Sequence, residues 1–132
     1  ELNISGRVIF AGFAPDEEVV MYYTASDVFA VASRFETQCL SAIEAMSCGL
    51  PVVCARARAL EDYVVDGQNG YLFDDDVDDC IEKLRLGLKA DDVMRSKAKE
   101  TASDFSVPRF MERMSSLYDD VIAAKKGEKD DR

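Results

Sequence analysis

The stretch Ser33-Arg34-Phe35-Glu36-Thr37-Gln38-Cys39-Leu40-Ser41-Ala42-Ile43-Glu44-Ala45-Met46 constrains this chain more than any other. It lies between two short apolar runs, Val28-Phe29-Ala30-Val31-Ala32 and Pro51-Val52-Val53-Cys54-Ala55. Runs that are apolar without alternation are read as strands buried on both faces. The residues between them read as a loop turning into a helix from about Gln38 to Ser47, with Gly49 placed to end it. Strand, loop, helix and strand form the repeating unit of a parallel sheet. In such a sheet the loop after a strand lies at the edge where ligands bind.

The rest of the chain extends this pattern. Arg7-Val8-Ile9-Phe10-Ala11-Gly12 predicts a further strand. Pro15 then opens a helix whose first turn carries Asp16, Glu17 and Glu18, acids that suit its positive end. A short helix is expected from Leu60 to Val65, a turn over Asp66-Gly67-Gln68-Asn69-Gly70, and a fourth strand at Tyr71-Leu72-Phe73. Val77, Ile81, Leu84 and Leu88 recur at helical spacing behind the acidic residues Asp74 to Asp76. Asp91 caps another helix to about Ser103, and Ser106 with Pro108 opens a last one with Phe110, Met114, Leu117 and Val121 on one stripe. The expected fold is therefore α/β, a Rossmann-like parallel sheet flanked by helices. Four strands make a thin doubly wound sheet, so one or more strands are expected upstream of Glu1. Residues 1–124 read as one domain, and the charged residues from Lys125 to Arg132 as a disordered tail.

Composition removes several functions. With 26 acidic and 16 basic residues the net charge is −10, which repels nucleic acid and anionic membrane surfaces. No apolar run approaches the roughly 20 residues that span a bilayer. The chain has four cysteines, none in a C-x-x-C pair, and no histidine, which argues against a zinc site and against Ser-His or Cys-His nucleophiles. The cysteines sit in apolar or helical contexts and read as reduced, so a cytoplasmic location is expected, with peripheral membrane association left to other parts of the protein. Chemistry here falls to carboxylates, backbone amides or groups supplied by another domain.

The loop from Arg34 to Gln38 and the helix after it supply both. A helix start offers three or four unpaired N–H groups and a partial positive charge, which together hold a diphosphate. Glu36 precedes the helix and Glu44 lies about two turns in, and a carboxylate accepts hydrogen bonds from two sugar hydroxyls at once. Two carboxylates flanking a phosphate cradle suit a nucleoside diphosphate sugar. An isolated pair of glutamates is more often a helix cap and a solvated residue. Here Ala42, Ile43, Ala45 and Met46 surround Glu44, and the expectation is that it does not join an ordinary solvated stripe.

These residues also resemble a known family. Ala25-Ser26-Asp27-Val28-Phe29, Ser33-Arg34-Phe35-Glu36-Thr37, Glu44-Ala45-Met46, Gly49, Pro51-Val52-Val53, and Asp66-Gly67 with Gly70 look like the C-terminal half of glycosyltransferase family 4, retaining enzymes of the GT-B fold. The likeness covers roughly Arg7 to Ile122, including Phe105-Ser106 before an amphipathic helix. It implies that Glu36 meets the donor sugar near the reacting carbon, as the catalytic residue. It implies that Thr37, Gln38, Cys39 and Leu40 touch sugar and phosphate through their backbone, and that Glu44 binds the ribose. Gly12 and Phe13 would form the base-binding edge. No metal or cofactor is implied. The donor is a nucleotide diphosphate sugar, with UDP expected over GDP or ADP, and the other partner is the enzyme's own N-terminal acceptor domain.

Departures from the family are as informative. Cys39 stands where the family has Gly, Arg58-Ala59 replaces Gly-Gly, and Glu61 replaces Pro. The family's phosphate-gripping Arg and Lys fall upstream of Glu1. Arg34, Arg56 and Arg58 are the local candidates for that task, although a surface arginine is more often solvated. Two other readings stay open. One is half of a nucleotide-sugar epimerase or hydrolase, which the lack of histidine disfavours. The other is a non-catalytic nucleotide-sugar-binding or interaction module.

Overall fold

The computed structural model of the chain describes residues 3–130. Nine regular elements follow a 3-10 turn at Ser5–Arg7: α1 (Asp16–Ala25), β1 (Phe29–Val31), α2 (Leu40–Ser47), β2 (Val52–Ala55), α3 (Arg58–Glu61), β3 (Gly70–Phe73), α4 (Val77–Gly87), α5 (Asp92–Ser103) and α6 (Val107–Asp130). The sheet has three parallel strands in the order β1-β2-β3. Val52 pairs with both Phe29 and Gly70, and Cys54 with both Val31 and Leu72. This is the Rossmann-like α/β architecture expected from the sequence.

β2 is central, and all four of its residues are buried. Val52 and Cys54 face a large core completed by Ala42, Met46, Leu60, Tyr63, Ala98 and Ala102. Val53 and Ala55 face a smaller one with Phe73, against which Cys80 and Leu84 of α4 pack. Helices thus cover both faces, α2 and α5 on one and α4 on the other. That is why β2 reads as a continuous apolar run rather than an alternating one. Burial pushes the Cys54 thiol up to about 12, so it carries no thiolate at neutral pH.

Local chemistry sets the element ends. Gly49 adopts φ 77°, and the Leu50 N–H reaches back to the Ala45 carbonyl at 3.0 Å, the turn that closes a helix with a left-handed residue. The Asp76 carboxylate accepts from the N–H groups of Asp78 and Asp79, and Asp91 from that of Met94 at 2.9 Å. Asn69, almost fully buried, locks the turn before β3. Its Oδ1 accepts from Val65 N at 2.7 Å, and its Nδ2 donates to Tyr63 O at 2.8 Å and Thr101 Oγ1 at 2.9 Å. Gly87 lets α4 approach the sheet closely, since a Cβ there would lie 2.8 Å from Val53 Cγ2.

Two expectations about the elements are corrected. The run Arg7 to Gly12 forms no strand. It finds no neighbouring strand among the described residues, and Ile9 and Phe10 are 92% and 93% exposed. The short helix starts at Arg58 and ends at Glu61, because Ala57 already adopts the extended conformation that precedes a helix. On α6, Phe110, Leu117 and Val121 of the expected stripe are exposed and Met114 is partly buried. The backbone of α6 runs through Asp130. Asp131 and Arg132 lie outside the described residues.

Candidate functional site

The loop after β1 and the start of α2 bring most of the singled-out residues together. Glu36 is half-buried, Thr37 and Gln38 are exposed, and Leu40 opens the helix. α2 begins at Leu40, two residues later than the sequence suggests, because Cys39 turns into the left-handed region at φ 56° and ψ 68°. Few residues with a Cβ adopt that conformation. The Cys39 carbonyl accepts from Ala42 N at 3.0 Å and Ile43 N at 3.4 Å, while the N–H groups of Leu40 and Ser41 have no backbone partner among the described residues. These two groups and the helix dipole make the positive pole of the site.

The later start brings Glu44 closer to that pole. It lies one turn into α2 rather than two, about 6 Å along the axis from Leu40. The expectation about its surroundings is also corrected. Ala42, Ile43, Ala45 and Met46 turn inward, and Glu44 shares the exposed stripe with Leu40, Ser41 and Ser47. Helical periodicity sorts sequence neighbours onto opposite faces, so apolar residues on either side of Glu44 do not bury it.

Glu44 is nonetheless held. The Tyr23 hydroxyl of α1 donates to its Oε2 at 3.2 Å, and the Tyr23 ring packs edge-on against Phe29 at 5.9 Å. Burial, then the charge and hydrogen bond of Glu44, push the Tyr23 phenol up to about 12, so it stays a donor. Between α1 and α2 lies a cleft of about 290 Å³ lined by Asp16, Val19, Val20, Tyr23, Glu44 and Ser47 among others. It pairs two carboxylates with an apolar wall. Asp16 and Tyr23 carry no sequence signal for this role. Asp16 reads as an ordinary helix-start acid, and Tyr23 meets Glu44 only through the packing of two helices.

Gly12 and Phe13 precede α1 on the exposed segment. Gly12 has φ 69°, Phe13 is 95% exposed, and neither lines the cleft. The candidate arginines Arg34 and Arg56 are tied to acids. Arg34 pairs with Asp75, and Arg56 donates to Asp74 Oδ1 at 2.8 Å and Glu61 Oε1 at 3.3 Å. They flank a separate cleft at the carboxyl edge of the sheet, lined by Ala32, Ala55, Phe73, Asp74 and Asp75.

Comparisons with known proteins agree with this architecture. The family described as "Glycosyl transferases group 1" matches residues 1–105. The chain is 43% identical over 84 residues, 61% of its length, to "Sulfoquinovosyl transferase SQD2" of Arabidopsis thaliana, and covers 16% of that protein. It is 39% identical over 124 residues to the "D-inositol 3-phosphate glycosyltransferase" of Corynebacterium diphtheriae, covering 91% of this chain and 29% of that one. It thus spans less than a third of the length of these relatives. Among solved structures, sucrose-phosphate synthase from Thermosynechococcus elongatus superposes with a TM-score of 0.81 at 28% identity, over 92% of this chain and 32% of that one. Anabaena HepE, solved in complex with UDP and glucose, gives 0.71 at 28% identity, over 89% and 33%. The fold and the family match converge: this chain belongs to the group 1 glycosyl transferases.

Proposed function

We propose that residues 1–124 form the donor-binding domain of a retaining glycosyltransferase that moves a hexose from a nucleotide diphosphate sugar, with UDP preferred over GDP or ADP, to an acceptor held by a separate N-terminal domain. One observation carries the reading. The open N–H end of α2 is flanked by a half-buried carboxylate, Glu36, and followed one turn later by a second, Glu44, oriented by Tyr23. The free amides and the helix dipole receive the diphosphate and stabilise the charge that grows on it as the glycosidic bond breaks. Glu36 hydrogen-bonds the sugar near the reacting carbon. Glu44 takes the ribose hydroxyls with the oxygen that Tyr23 leaves available. Thr37, Gln38, Cys39 and Leu40 meet sugar and phosphate through their backbone, and Gly12 and Phe13 border the base. The UDP and glucose bound to HepE support the choice of donor.

Calorimetric titration of this chain with UDP, GDP, ADP and their glucose conjugates tests the reading. Saturable binding strongest for UDP is expected, with Glu44→Gln weakening it about 10- to 100-fold, the worth of hydrogen bonds to a charged group. Equal affinity for all three nucleotides, or none at millimolar ligand, counts against it. In the whole enzyme Glu36→Gln and Glu44→Gln should each depress transfer. An interaction module would be indifferent to both.

A further inference from the structure

The amides that open α2 point where they do because of Cys39, and Cys39 is in an unfavourable conformation. Its φ of 56° and ψ of 68° place a residue with a Cβ in the left-handed region, and its side chain is 7% exposed, so the turn sits against the core rather than in solvent. Something must hold it there. Besides the Ser41 hydroxyl 3.6 Å from its Sγ and the α2 amides on its carbonyl, the turn is met from outside α2 by Tyr63, just after α3, whose hydroxyl donates to the Gln38 carbonyl at 2.9 Å with the Cys39 carbonyl at 3.3 Å. The Tyr63 ring is itself fixed, buried in the main core and stacked edge-on against Phe105 at 5.3 Å. Burial, and then the neighbouring thiols of Cys39 and Cys54 and the carboxylate of Glu36, raise the phenol, so it remains a donor at every physiological pH.

We propose that Tyr63 is a positioning residue for donor binding: its hydroxyl holds the left-handed turn at Gln38–Cys39 and so aims the opening amides of α2 at the diphosphate. The idea rests on the reading of α2 as the diphosphate cradle. It predicts a specific coupling. Glycine enters the left-handed region freely, so a Cys39→Gly chain would not need the hydroxyl.

The test compares the wild-type chain with Tyr63→Phe, Cys39→Gly and the double variant, using two readouts. Tyr63→Phe keeps the ring and its stack on Phe105 and removes only the hydroxyl. The first readout is amide hydrogen exchange at Ala42 and Ile43, whose N–H groups bond to the Cys39 carbonyl, against Val53 in the central strand as the internal reference. Tyr63→Phe should speed exchange at the helix start about three- to tenfold relative to Val53, the range for one hydrogen bond. In the Cys39→Gly background the same change should have less than about a twofold effect. The second readout is UDP affinity, expected to fall about three- to tenfold in Tyr63→Phe and to be insensitive to the hydroxyl in the Cys39→Gly background. A merely structural tyrosine would speed exchange at Val53 as much as at Ala42, with equal effects in both backgrounds, and either result overturns the proposal. So does unchanged UDP affinity in Tyr63→Phe. If wild type binds no UDP, the cradle reading fails and with it the functional half of the proposal. The exchange pattern then still decides whether Tyr63 holds the turn.

Discussion

Val52-Val53-Cys54-Ala55 and Val8-Ile9-Phe10-Ala11 are both four-residue apolar runs, yet the first is wholly buried and the second faces outward. The difference does not lie in hydrophobicity. β2 has a strand on each side and helices on both faces, so each of its residues meets other side chains or a ladder hydrogen bond. The earlier run has the composition of a strand but no pairing strand among the described residues. An apolar run states a demand for burial, and the tertiary neighbourhood decides whether that demand is met.

The comparison is easiest to break at its buried pole. Met46 is fully buried beneath β2, and Met46→Ala should cost about 2–5 kcal/mol in chemical denaturation. A loss under about 1 kcal/mol would mean that this core is not the one holding the sheet together. Next is Asn69, whose amide joins the turn before β3 to α5. Asn69→Ala strands the Val65 N–H and the Tyr63 carbonyl, and a loss of about 1–3 kcal/mol is expected. Near-wild-type stability for that variant would refute the network as a structural tie.

A smaller effect should appear in acid. Burial raises the Asp66 carboxyl, but the Leu72 N–H at 2.9 Å and the Lys83 ammonium at 3.0 Å outweigh it and leave the group below its ordinary value. A carboxyl lowered by folding contributes stability above its unfolded value near 4 and loses it as pH falls through the folded one. Thermal midpoints should therefore drop more steeply below about pH 4 in wild type than in Asp66→Asn. The difference stays small because the carboxylate is partly exposed. Parallel curves would remove Asp66 from the account. Smallest of all is the exposed pole, where Phe10→Ser should change stability by less than about 0.5 kcal/mol. A core-sized loss there would show that the run packs against something after all.

The same contrast explains what is legible in the sequence. β2 and β3 are readable because burial on both faces leaves an apolar run, and the caps at Asp76, Asp91 and Gly49 because each has its own local chemistry; β1 reads the same way but lies at the sheet edge, with Phe29 and Val31 partly buried and Ala30 exposed rather than buried on both faces. The carboxylates Glu36 and Glu44 are readable from their spacing around a helix start. What stays hidden is what depends on contacts distant in sequence. The exposure of the Val8 run and of most of the α6 stripe, and the solvent-facing position of Glu44, follow from which partners are nearby. The hydrogen bonds of Tyr23 and Tyr63 arise only once α1 meets α2 and the segment after α3 reaches the Cys39 turn. A tyrosine whose bond partner lies 21 or 25 positions away has no local signature.

The strand order has a consequence for where the chain can be cut. Because the sheet runs β1-β2-β3, each strand pairs with the one made just before it. Among the described residues no strand lies between two that are consecutive in the chain. The core beneath β2 nevertheless includes Ala98 and Ala102 of α5, and the Asn69 turn reaches Thr101 of the same helix. Neighbouring strands are thus near in sequence, while the contacts that seal them come from a helix that follows the whole sheet, so a chain cut before Asp92 would keep its strand order and lose its seal.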